Sequence, residues 1–149
     1  MNNPLISIEL RQQQDYRFAI HFDEAMPVLL SDEPAPLGTG QGPSPVQLLC
    51  AAVGNCLSDS LLFALRKFKQ APEPLRCGVE AEVGRNAEGR LRVLRMTATL
   101  HLGVPAARLE HLDRVLQSFE GYCTVTQSVG QGIDIQVVVL DAEGKQLKP

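Results

Sequence analysis

The segment from Gly42 to Phe68, GPSPVQLLCAAVGNCLSDSLLFALRKF, constrains the fold more than any other part of the chain. Ser44 is a natural N-cap, Pro45 suits the first helical position, and Gln47 completes an S-x-x-Q capping box. From Leu48 to Leu65 apolar residues run nearly all round the helix, which demands burial in a core or at a subunit interface. Arg66, Lys67 and Lys69 suit the negative end of the helix dipole, and QAPEP ends the element. Because Asn55, Ser58, Asp59 and Ser60 interrupt the apolar run, it reads as a core helix and not as a membrane span.

On either side of this helix the pattern changes to strict alternation. LISIEL (5–10) and DYRFAIHF (15–22) read as strands with RQQQ as their turn, and PVLLSD as a short third strand. The Pro- and Gly-rich stretch 33–45 must be a loop. LRCGVEAEVGR and RLRVLRMTATLHLG form a hairpin about NAEG. Pro105 is expected to start a second helix with Leu109, Leu112, Val115, Leu116 and Phe119 as its stripe, ending at Glu120-Gly121. CTVTQSV is a short helix or turn, and GIDIQVVVLD a last strand. This order predicts an α+β fold with a mostly antiparallel sheet.

At 149 residues the expectation is a single domain spanning 1–149, able to bury a core without metal or disulfide. A net charge of −3, no basic run and no Trp argue against a nucleic-acid surface. MNNPLISIELRQQQ lacks the basic start and apolar segment of a secretory signal, so a cytoplasmic protein with no membrane attachment is expected. Four cysteines in a reducing compartment are not a disulfide framework, and each needs its own explanation.

Cys56 shares a helix face with Leu49, Ala52, Val53 and Phe63, and locally reads as a small buried hydrophobe. A nucleophilic role would need a thiolate, hence a nearby cation or donor, whereas Asp59 would oppose ionisation. Cys50 and Cys77 read as packing residues. Cys123 opens a possible helical turn, where thiol ionisation is favoured, so packing and function are evenly weighted there. His21, His101 and His111 are scattered and no C-x-x-C or H-x-x-x-H spacing occurs, so neither metal nor cofactor is expected.

LLSDEP, then GPSPVQLLCAAVGNCLSDSLLFALRKF, then CTVTQSV followed by a closing strand resemble the OsmC/Ohr family, in particular its OsmC-like branch. The resemblance implies an OsmC-like fold with a long buried central helix, assembled as an intertwined homodimer with sites at the subunit interface. It also implies that Cys56 attacks organic hydroperoxides to become a sulfenic acid and that Cys123 resolves it to a disulfide. A dithiol reductant, such as a lipoylated protein, would then reopen that disulfide. Family members support the first cysteine with an N-terminal arginine and a helix-start glutamate. Arg17 and Gln47 are the nearest equivalents, with Val46-Gln47 standing where the glutamate is expected. The alternative expectation is a non-catalytic dimer that binds an apolar or thiol-bearing small molecule at the same interface.

Overall fold

The computed structural model describes residues 2–148, and the chain divides into two compact units, one ending at Leu48 and one beginning at Leu49. In the first, strands β1 (Glu9–Gln14), β2 (Arg17–His21) and β3 (Leu29–Ser31) form an antiparallel sheet in that order. The alternating run LISIEL does not form the expected strand, since Leu5 and Ile6 lie outside it almost fully exposed. RQQQ is strand instead of turn: Gln12 pairs with Phe18, and the chain reverses at Asp15-Tyr16. Asp15 adopts φ 51°, a left-handed conformation that Asp tolerates better than the glutamines before it.

Helix α1 (Pro45–Lys67) begins as its sequence dictates. The Ser44 N–H donates to Gln47 Oε1 at 2.9 Å, and the Gln47 N–H donates back to Ser44 Oγ at 3.3 Å. By length and composition α1 is apolar enough to cross a membrane, but Val53, Leu57, Leu61 and Leu65 are fully buried in the core of the second unit. Burial is one-sided, however, because Ala51, Ala52, Asn55, Asp59 and Phe63 face solvent. Within the single chain the core covers one stripe of the helix, Val53, Leu57, Leu61 and Leu65.

The second unit sets α1 against a sheet ordered β4 (Arg76–Arg85), β5 (Leu91–His101), β6 (Asp134–Leu140), β7 (Gln146–Lys148). β4 and β5 form the expected hairpin, where Asn86 Oδ1 accepts the N–H groups of Glu88 and Arg90. β5 and β6 run parallel, because the chain between them crosses over through helices α2 (Leu112–Ser118) and α3 (Thr124–Val129). The helix expected from Pro105 is instead a short 3-10 turn, Ala106–Arg108, followed by extended Leu109. Asp141 holds that turn by accepting the Ala106 N–H at 2.8 Å, and His111 at φ 59° delays α2 to Leu112. Strand β7, unforeseen in the sequence, is tied down by Lys148, which donates to Leu116 O at 2.8 Å and pairs with Glu120. Met96, Leu100, Val115, Phe119 and Val139 complete a core closed to solvent.

Candidate functional site

Two cysteines from distant parts of the chain meet at the edge of this core. α1 carries Cys56 into a partly exposed position packed against the core cluster, while Cys123 stands fully buried at the N-cap of α3. Cys56 lies near enough to Cys123 to influence its ionisation, and both thiols are free. Desolvation by burial pushes the Cys123 thiol up, as does the neighbouring Cys56 sulfur. The Thr126 hydroxyl and backbone N–H work against that rise. Cys123 is therefore held as a thiol at neutral pH, beside a partner that is more open to solvent.

The core cluster against which the pair packs is apolar. Val53 and Leu57 adjoin Cys56 on α1, and Phe119 precedes Cys123 in the same core. Thr126 is a buried polar residue whose Oγ1 donates to Cys123 O at 3.3 Å. Sequence reasoning missed it, although its place three residues after an N-cap was a usable signal. Asp59 does not stand unpartnered near Cys56, because Asn55 Nδ2 donates to its Oδ2 at 3.1 Å.

Cys50 and Cys77, read separately from sequence as packing residues, line one open depression of about 390 Å³ together with Gly54, Asn55, Ser58 and Val79. Desolvation raises both thiols, which disfavours their ionised forms. Among the described residues no three His, Cys, Asp or Glu side chains converge as metal ligands would.

The other two candidates, Arg17 and Gln47, belong to the first unit. Gln47 commits its Oε1 to the Ser44 cap. Arg17 Nη2 donates to Thr39 Oγ1 at 2.8 Å, and its Nε lies 3.7 Å from Asp32 Oδ2. Asp32 organises the following loop, accepting the Thr39 hydroxyl at 2.8 Å and the N–H groups of Glu33, Thr39 and Gln41. Burial opposes its charge, but these donors outweigh the desolvation and hold its carboxyl below the usual range. A Cβ on Gly38 would come 2.1 Å from Glu33 O and 2.3 Å from Asp32 Oδ1, so only glycine fits this loop.

The family model described as OsmC-like protein matches residues 38–138. An OsmC-like protein of unknown function from Vibrio cholerae has a similar structure, with TM-score 0.75 and 15% identity over 90% of this chain and 97% of that one. An OsmC-like protein from Mycoplasma pneumoniae gives TM-score 0.75 and 14% identity over 94% and 99%. An organic hydroperoxide resistance protein from Legionella pneumophila gives 0.70 and 14% over 92% and 98%. At such identities the likeness is one of fold. Among curated proteins none matches the chain.

Proposed function

The chain belongs to the OsmC-like protein family, and from that premise we propose that it is a thiol-dependent peroxidase reducing organic hydroperoxides, with Cys56 as nucleophile and Cys123 as resolving thiol. The observation that carries this reading is the proximity of two free thiols of unequal access, one partly exposed and one closed to solvent. In the first step the Cys56 thiolate attacks the terminal oxygen of the hydroperoxide. The O–O bond breaks, the alkoxide leaves as an alcohol on taking a proton, and Cys56 becomes a sulfenic acid. Cys123 then attacks that sulfur, and its proton departs with the hydroxyl as water. A dithiol, for example a lipoyl group, reduces the resulting disulfide by exchange.

Several features support the assignment of roles. Holding Cys123 protonated keeps it from competing with Cys56 for the peroxide. The apolar core against which the pair packs favours alkyl or acyl peroxides over hydrogen peroxide. Arg17, with its guanidinium oriented by Thr39 and Asp32, is the supporting cation in this reading, and Gln47 is a neutral member of the helix start. A homodimer belongs to the reading as well, supported by Phe63, which is 63% exposed on the open side of α1.

The test is hydroperoxide consumption with a dithiol as reductant. Cys56→Ser should abolish turnover, and an unchanged rate in that variant sinks the proposal. Cys123→Ser should stop after one turnover with a sulfenic acid trappable by dimedone. Arg17→Lys should lower the peroxide step without altering the thiol content. A second reading, a non-catalytic dimer binding an apolar or thiol-bearing molecule, is favoured by the uncharged Val46-Gln47 helix start. Intact thiols after one equivalent of an alkyl hydroperoxide would select it.

A further inference from the structure

A disulfide between Cys56 and Cys123 would join two sulfurs of unequal access. Cys56 is partly open to solvent on α1, whereas Cys123 is 0% exposed at the N-cap of α3. Thiol–disulfide exchange requires the incoming thiolate to approach in line with the S–S bond, from the side away from the leaving sulfur, and its rate depends on which sulfur can be reached. Attack on Cys123 would have to come through the packed core, so Cys56 is the reachable sulfur and Cys123 must depart.

That departure has a physical difficulty. The leaving sulfur becomes a thiolate in a site closed to water, and poorly stabilised thiolates leave slowly. One buried polar side chain adjoins it. Thr126 is 8% exposed on the first turn of α3, and both its hydroxyl and its N–H favour a charge on the Cys123 sulfur. In the resting protein the Cys123 sulfur makes no capping hydrogen bond. The Thr126 hydroxyl instead donates to Cys123 O at 3.3 Å, a long bond for an O–H donor.

We propose that Thr126 is the donor that receives the Cys123 thiolate when an external thiol opens the Cys56–Cys123 disulfide, so that the mixed disulfide forms on Cys56. The proposal rests on the assignment of these two cysteines as the redox pair. The incoming thiolate forms a new S–S bond to Cys56 as the Cys56–Cys123 bond breaks. The bonding pair goes to Cys123, where the Thr126 hydroxyl hydrogen-bonds it until the proton shed by the incoming thiol is returned to it. The second thiol of a dithiol reductant then attacks the sulfur of the mixed disulfide that belongs to the reductant. That step expels the Cys56 thiolate and leaves the reductant as a cyclic disulfide, two electrons poorer.

The experiment forms the disulfide in the full-length protein with diamide, which needs no peroxidase activity, and then opens it with glutathione under acid quench. Peptide mass mapping should place the glutathione adduct on Cys56, with Cys123 free. Thr126→Val should slow the opening by roughly 10-fold, the loss expected for one hydrogen bond to a charged sulfur. Thr126→Ser, which keeps the hydroxyl, should restore the rate, a rescue that a merely structural role would not produce. An adduct on Cys123 overturns the proposal, and needs no variant to detect. Opening at the unaltered rate in a folded Thr126→Val protein also overturns it. If diamide gives the disulfide and hydroperoxide does not, the peroxidase reading fails while this one stands. If diamide gives no disulfide, both fail.

Discussion

Gly54 on α1 lies so close to Val79 on β4 that a Cβ there would meet Val79 Cγ2 at 2.8 Å. The contact explains a glycine in the middle of a helix, where it otherwise costs about 1 kcal/mol relative to alanine. It also sets the helix-to-sheet distance at the level where Cys77 packs, since the same Cβ would stand 3.5 Å from Cys77 Sγ. Gly54→Val should therefore destabilise the protein by about 1–3 kcal/mol through overpacking. Gly54→Ala should lose less, because the gain in helix propensity offsets part of the clash. Urea midpoints of the two variants check both the sign and the order.

Three thiols, Cys50, Cys77 and Cys123, are raised by burial, and Cys123 is raised further by the neighbouring Cys56. Above the ordinary thiol value of about 8.5 the unfolded chain releases protons that the folded chain retains. Fewer protons bound to the unfolded state means that stability falls with rising pH. The stabilising contribution is complete below that value and is lost as pH rises through the folded values. Unfolding midpoints of the reduced protein between pH 7 and 10 should decline, and Cys77→Ala should make the decline shallower.

Asp32 behaves in the opposite sense. Its carboxyl is held below the ordinary range because the donors from Thr39, Gln41 and Glu33 outweigh its desolvation. Its contribution is present above about pH 4 and is lost as pH falls through the folded value. Asp32→Asn should flatten the acid limb of the stability profile. It should also free the Arg17 guanidinium, which a more exchangeable Arg17 side-chain Nε–H in NMR would register.

Phe63 gives the test of assembly. A phenylalanine 63% exposed on the open side of an apolar helix is expected to be covered by a second copy of the chain. In the proposed homodimer, Phe63→Glu should shift the equilibrium from dimer to monomer in sedimentation velocity. A dimer of unchanged affinity would remove Phe63 from the interface.

Phe119 is the largest fully buried side chain, lying under Lys148 with the ammonium 5.4 Å from the ring centroid. Phe119→Ala should cost about 3–5 kcal/mol, measured by denaturant unfolding. Lys148→Ala should cost far less, since it loosens only β7.

The sequence by itself determined the elements whose signals are local. The Ser44/Gln47 capping box, the i, i+4 series Val53-Leu57-Leu61-Leu65 and the NAEG hairpin lie within a few residues of the bonds they make. Short-range geometry is enough for these, so they were legible. The β1 register and the start of α2 were misread, because Asp15 and His111 adopt left-handed conformations that alternation and periodicity do not encode. Only the tertiary structure decided the rest. Strand β7 needs Lys148 to reach Leu116 and Glu120, and the parallel β5–β6 pair needs the crossover to close. The approach of Cys56 to Cys123 depends on α1 and α3 sharing one core. Neither cysteine's neighbours in sequence distinguish a packing thiol from half of a pair. The other sulfur, and the burial that keeps Cys123 protonated, come from residues remote along the chain and adjacent in space.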